Sequence, residues 1–248
     1  RRVPLQAELG GNNAAIIWHD ATIATAAEQI AAGAFEMAGQ RCTANRRAIG
    51  HQDILGPFLD RLTEATRALF TGSPTHPDTR VGPLVNSDRQ QCVARMVSRA
   101  KPYASACFVP HDELPTDDRN DNDRWYPPTI LCCDDPTLEI VQEETFGPVL
   151  VVQMASDWRQ AMALCNGVRQ GLAAAIFTNS EDTARRFLDE ACAGILKVNQ
   201  STADAAIDIP FGGWKASGVG PPEHGLFDIE FFTRPQTVYG HNFETLGQ

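Results

Sequence analysis

The sequence predicts an α/β domain built on a largely parallel sheet flanked by helices. Two observations carry the prediction. Segments of strand character and segments of helical apolar spacing alternate along the chain, the order that βα units produce. The strand segments are also near-continuous apolar runs, as expected of strands covered on both faces. At 248 residues the chain can bury a sizeable core, as one large domain or two small ones.

The elements follow in order. Ala14 to Trp18 reads as a buried strand. Asp20 is placed to cap the alanine-rich helix Thr22 to Ala38, which Gly39 closes. Arg46 to Ile49 is a short strand. Ile54 to Leu69 carries apolar residues at 54, 55, 58, 59, 62, 65 and 69, a helical spacing. Thr71 to Pro83 is a Gly/Pro loop, and Ser87 or Asp88 caps a helix to about Arg99. Ser105 to Val109 is a strand. His111 to Asp123 is the most polar stretch of the chain and reads as an exposed loop. It lacks the glycine and terminal glutamate of a calcium loop, so no metal site is expected. Strands at Thr129 to Cys133 and Val149 to Gln153 come next, then a helix from Asp157 to Val168. A strand at Leu172 to Thr178, a capped helix from Ser180 to Ala191 and a strand at Ile195 to Asn199 complete the alternation. Phe231 to Tyr239 reads as a final strand, and Pro235 favours an edge or inter-subunit position for it.

Composition narrows the function. The formal net charge is −10 and the sequence pI is about 5.0. No Lys/Arg-rich run occurs, so neither nucleic acid nor a membrane is expected as partner. No apolar run approaches the roughly 18 residues of a membrane span. The seven cysteines form no CxxC pair or zinc spacing, which points to reduced thiols in the cytoplasm. Cys132 and Cys133 read as buried packing residues. The chain starts at Arg1 rather than methionine, which suggests a fragment or a processed product.

Four signals bear on chemistry. Glu8-Leu9-Gly10-Gly11 sets a carboxylate beside a di-glycine turn, where another group can approach the backbone closely. Cys42, in Gly39-Gln40-Arg41-Cys42-Thr43, follows a helix and lies 34 residues beyond Glu8. Arg41 beside it would stabilise a thiolate if its side chain turned that way. Glu143-Glu144-Thr145-Phe146-Gly147-Pro148 is a turn carrying an acid and an aromatic ring. Pro210-Phe211-Gly212-Gly213-Trp214-Lys215-Ala216-Ser217-Gly218 is a glycine-rich loop in which Phe211 and Trp214 can line a tunnel. Taken singly, each is equally an exposed charge, an inert thiol, a surface turn or a structural crossing.

Together and in this order the four motifs resemble the aldehyde dehydrogenase superfamily, over nearly the whole chain. The resemblance implies that Cys42 is the nucleophile, attacking an aldehyde carbon, and that Glu8 activates the water that releases the acid. Glu144 would hold the nicotinamide ribose, with Phe146 beside it and the Leu9 backbone near the nicotinamide amide. The Cys42 backbone N–H would supply half of an oxyanion hole. The implied cofactor is NAD, with NADP also open, and most of its site is expected outside this chain. Residues 1–8 would end a cofactor-binding domain, 9–232 form the catalytic domain, and 233–248 carry an oligomerisation strand. That strand, Thr233 to Tyr239, would make a homodimer or homotetramer. Within the superfamily the Arg46-Arg47 pair and the loop Asn199 to Asp204 resemble enzymes acting on succinylglutamate semialdehyde in arginine catabolism. Arg41, Thr202, Ala203 and Phe211 would meet this small-molecule substrate. A glutamate semialdehyde enzyme, a non-catalytic binding module and a cofactor-free thiol hydrolase are the alternatives.

Overall fold

The structure is a computed structural model that describes residues 3–110 and 122–239. Most of the polar stretch read as a loop lies outside these residues, as does 240–248. A seven-stranded sheet forms the centre. Its strands are β2 (Asn13–Ile17), β3 (Asn45–His51), β4 (Ala106–Phe108), β5 (Thr129–Cys132), β6 (Val149–Ala155), β8 (Ala173–Phe177) and β9 (Ile195–Val198). The spatial order is β4-β5-β6-β3-β2-β8-β9. Every pairing is parallel except β4 with β5. Two antiparallel ribbons stand apart: β1 (Ala7–Glu8) with β11 (Gly218–Val219), and β7 (Gln170–Gly171) with β10 (Trp214–Lys215).

The continuous apolar strands have a direct consequence. Successive side chains of a strand point to opposite faces, and β2 is buried at every position. Ala15 and Ile17 enter one core with Ile30, Phe35, Phe58, Leu62 and Val93. These come from α1 (Ile23–Phe35), α2 (Leu55–Arg67) and α3 (Ser87–Ala100). Ala14 and Ile16 enter a second core with Trp158, Met162 and Phe187, from α5 (Trp158–Asn166) and α6 (Glu181–Glu190). Cys132 and Cys133 are buried as expected.

The cap follows the sequence at α6, where Ser180 accepts from the Thr183 N–H, and Asp157 caps α5 in the same way by accepting from the Gln160 N–H. The caps differ at two helices. Asn86, not Ser87 or Asp88, caps α3 by accepting from the Arg89 N–H at 2.8 Å. Thr22 precedes α1 without a side-chain cap; Asp20 instead accepts from the Thr178 hydroxyl at 2.7 Å and the Asn179 N–H at 3.2 Å. Helix α1 also stops at Phe35 rather than Ala38. Met37, Ala38 and Gly39 all have left-handed φ, at 55°, 54° and 64°, so the chain reverses its winding before Cys42.

The expected final strand does not start at Phe231 and finds no partner among the described strands of this chain. Phe231 lies in a helix, α7 (Leu226–Phe232), and residues 233–239 pair with no described strand. The short helix α4 (Glu139–Gln142) was not legible in the sequence. No helix among the described residues is long and apolar enough to cross a membrane.

Candidate active site

Parallel strands deliver their lead-in segments to one edge of the sheet. Glu8 to Asn12 leads into β2, Cys42 to Ala44 into β3, and Glu143 to Pro148 into β6. Three of the four motifs therefore meet at the amino edge of the sheet. After β9 the chain folds back, so that Ser201 to Ala203 join them.

The Cys42 loop is fixed by polar side chains. Asn13 Nδ2 donates to the carbonyls of Cys42 at 2.8 Å and Ala44 at 2.9 Å. Thr43 Oγ1 donates to the Ala203 carbonyl at 2.8 Å, and Thr202 Oγ1 returns a bond to the Thr43 carbonyl at 2.7 Å. Thr202 and Ala203, expected to meet substrate, thus buttress the Cys42 loop.

Residues 8–11 touch all the other motifs. The Glu8 carboxylate lies in the glycine-rich loop; a Cβ added at Gly212 or Gly218 would sit 3.6 or 3.5 Å from its Oε1. Leu9 N–H donates to the Ser217 carbonyl at 3.0 Å, and Ser217 Oγ donates to the Gly10 carbonyl at 2.8 Å. A Cβ at Gly10 would fall 2.0 Å from Glu144 Oε2, and one at Gly11 would fall 2.3 Å from the Cys42 carbonyl oxygen. Only glycine permits both approaches.

The electrostatics are acidic. Burial pushes the half-buried Cys42 thiol up; the Glu144 charge and, more weakly, Glu8 add to this, while the N–H groups of Thr43 and Cys42 oppose it. Arg41 does not turn toward the thiol. Its guanidinium donates to the Ala32 carbonyl at 3.4 Å, so the expected stabilisation of a thiolate by this side chain is not what the structure shows. Burial raises Glu8, helped by Glu223 and opposed by the Gly213 N–H and His224. Burial also raises Glu144, against Arg46, the Gly11 N–H and Arg89. Glu8 Oε2 and Glu144 Oε1 are buried without a hydrogen-bond partner, a costly state that a ligand or reacting group would relieve.

Phe146 has a left-handed φ of 45°, and its ring lies 5.8 Å from the Arg46 guanidinium carbon. Phe211 pairs its backbone with Glu223. It lines a groove of about 430 Å³ with Leu196, Lys197, Gln200 and Ile209; Cys42 does not line that groove. Asn13, Ser217 and Arg46 are site residues that sequence reading did not assign. Among the described residues no cluster of three or more His, Cys, Asp or Glu could hold a metal ion.

The fold and the site define an α/β protein with a half-buried cysteine near two partly buried carboxylates at the amino edge of its sheet. Comparison with known proteins agrees. The model of the aldehyde dehydrogenase family matches residues 1–238. The chain is 35% identical to an alpha-ketoglutarate semialdehyde dehydrogenase of Haloferax volcanii, over 95% of this chain and 48% of that protein. It is 34% identical to a succinate-semialdehyde dehydrogenase [NADP(+)] of Mycobacterium tuberculosis, over 95% of this chain and 50% of that protein. Its fold matches the crystal structure of a putative methylmalonate-semialdehyde dehydrogenase from Sinorhizobium meliloti complexed with NAD, with a TM-score of 0.85 and 25% identity. That match covers 97% of this chain and 50% of the other. The chain belongs to the aldehyde dehydrogenase family, and it spans about half the length of the curated relatives it matches.

Proposed function

We propose that the protein oxidises an aldehyde to a carboxylate with NAD or NADP, using Cys42 as nucleophile and Glu8 as general base. One observation supports this above the others: residues 8–11 bring Glu8, the Cys42 loop, Glu144 and the glycine-rich loop into mutual contact. In this reading the Cys42 sulfur attacks the aldehyde carbon, and the backbone N–H of Cys42 faces the developing oxyanion. Bound NAD(P) supplies the hydride acceptor that turns the Cys42 thiohemiacetal into a thioester. Glu8 then takes a proton from the water that attacks the thioester, a task suited to a carboxylate whose pKa burial has raised. The cofactor fits Glu144, whose partnerless buried Oε1 can accept from a ribose hydroxyl. Leu9 and Phe146 complete this chain's share of that contact.

For the substrate we favour an aldehyde that also carries a carboxylate, because relatives of this chain are semialdehyde dehydrogenases. Succinylglutamate semialdehyde, in arginine catabolism, is the first candidate; glutamate semialdehyde is the second. Arg41 and Phe211 are assigned to substrate contact, Thr202 and Ala203 to support of the Cys42 loop, residues 9–232 to the catalytic domain, and 233–248 to assembly of a cytoplasmic homo-oligomer.

The test uses the protein as produced from its own gene, with NAD and NADP and a panel of aldehydes. Semialdehydes should give the highest kcat/KM, and Cys42→Ala should lose activity by on the order of 10³-fold or more. Activity that survives Cys42→Ala would sink the reading. A preference for small unsubstituted aldehydes would sink the substrate assignment alone.

A further inference from the structure

Arg46 has no part in the reading above, yet it is the most tightly held cation at the site. It is only 3% exposed. The register between β2 and β3 slips at this residue: Asn13 pairs with Asn45, but Ala14 pairs with Arg47. Arg46 is the extra residue of a bulge, a feature that re-aims a side chain. Arg46 and Arg47, as successive residues of a strand, point to opposite faces. Arg47 reaches the carbonyls of Asn12, Leu164 and Cys165, whereas Arg46 turns to the Cys42 loop and the Glu144 turn.

Its contacts bridge these two segments. Nη1 donates to the Gly147 carbonyl at 2.8 Å. Nη2 donates to the Gly39 carbonyl and, at 3.4 Å, to the Arg41 carbonyl. The guanidinium also stands over the Phe146 ring, a favourable place for a cation. Both bridged segments carry left-handed residues: Met37, Ala38 and Gly39 on one side and Phe146 on the other. Such backbone is costly for a non-glycine residue and persists only where its surroundings impose it.

We propose that Arg46 is a positioning residue for the Cys42 site: its guanidinium bridges the Cys42 loop and the Glu144 turn, fastening one to the other and fixing a positive charge beside both. The proposal rests on the roles given above to Cys42 and Glu144. The charged groups facing Arg46 are Glu144, Arg89, Arg41 and Cys42. Those facing Cys42 also include Glu8. Burial lowers Arg46 to about 10, so it stays cationic at neutral pH. It opposes the effect of burial on Glu144, and its charge and that of an ionised Cys42 favour each other, against the larger effect of Glu144 on the thiol.

The test is the pH profile of iodoacetamide alkylation at each cysteine of this chain, read by mass spectrometry. It needs neither cofactor nor turnover. Arg46→Gln keeps a hydrogen-bond donor and removes the charge. Its Cys42 midpoint should rise by about one pH unit, making alkylation below the midpoint roughly tenfold slower. Arg46→Lys keeps the charge and should restore most of the wild-type profile. An unshifted midpoint in Arg46→Gln, or equal shifts in both variants, overturns the proposal. If Arg46→Gln exposes the buried Cys132, Cys133 and Cys165 to reagent, the fold is lost and Arg46→Met takes its place. If that variant also unfolds, Arg46 is a structural cation and the proposal falls. Failure of the functional reading is distinguishable, because activity surviving Cys42→Ala leaves this profile untouched.

Discussion

Replacing Arg47 by methionine should destabilise the fold by about 3 kcal/mol. Arg47 is 1% exposed. Its Nε and Nη2 donate to the Asn12 carbonyl at 3.1 and 2.9 Å, its Nη1 to Leu164 at 2.5 Å, and its Nη2 to Cys165 at 3.0 Å. The last two carbonyls belong to the final turn of α5, which a helix leaves without internal partners, and a cation there also favours the helix dipole. Methionine fills much of the same space but donates nothing. Asn12 and Cys165 lose these donors, and Leu164 keeps only the Gly167 N–H at 3.4 Å. Each abandoned buried carbonyl costs about 1–3 kcal/mol, and relief from desolvating the cation offsets part of that sum. With a urea m-value of about 3 kcal/mol/M for a chain of this size, the midpoint should fall by about 1 M. Urea unfolding at pH 7, followed by tryptophan fluorescence, measures it. A change within about 0.5 kcal/mol, the range of an ordinary surface substitution, would refute the reasoning.

Two further predictions concern stability. Gly33→Ala should destabilise although alanine is the better helix former by about 1 kcal/mol, because its Cβ would fall 2.1 Å from Ser201 Oγ and 2.3 Å from Asn45 Oδ1, which are bonded to each other. A raised Tm would contradict this. Burial raises the Cys165 thiol from 9.0 to about 11, so the unfolded chain loses this proton first. Its contribution is therefore complete below pH 9 and is lost as pH rises from 9 to 11, by about 3 kcal/mol. Urea unfolding across that range should show a shallower decline in Cys165→Ala, and an identical slope in both proteins would exclude the effect.

The legible parts of the fold are those where local pattern and burial agree. The run Ala14 to Ile17 implied cover on both faces, and its residues do divide between two cores. Ser180 was legible as a cap because its short hydroxyl side chain stands immediately before a helical run. Phe231 reads as the start of a strand but lies near the end of α7, which buries none of its residues, so no core contact in the sequence pattern marks the helix. Glu8, Cys42 and Glu144 were recognisable only as members of an ordered set of motifs. Arg46 was not, since one inserted residue in a strand register leaves no mark in a single sequence.

The acidity around Cys42 bears on where its proton goes. Ionisation with release of the proton to solvent would place a third negative charge near Glu8 and Glu144, both already raised by burial. Transfer from Cys42 to Glu8 adds no net charge to the site; it moves the existing charge from carboxylate to sulfur. In surroundings of low dielectric that difference is worth more than it would be in water. The same environment that raises the thiol therefore raises its acceptor, so the two pKa values move together. Under the proposed function, Glu8 can then serve both half-reactions with one proton-accepting carboxylate. Glu144 cannot share that work, because its Oε2 is pressed against Gly10 and its remaining oxygen is the one assigned to the cofactor. The four-residue segment Glu8 to Gly11 thus assigns different work to two similar carboxylates by exposing one to the loop of Gly212 and Gly218 and enclosing the other.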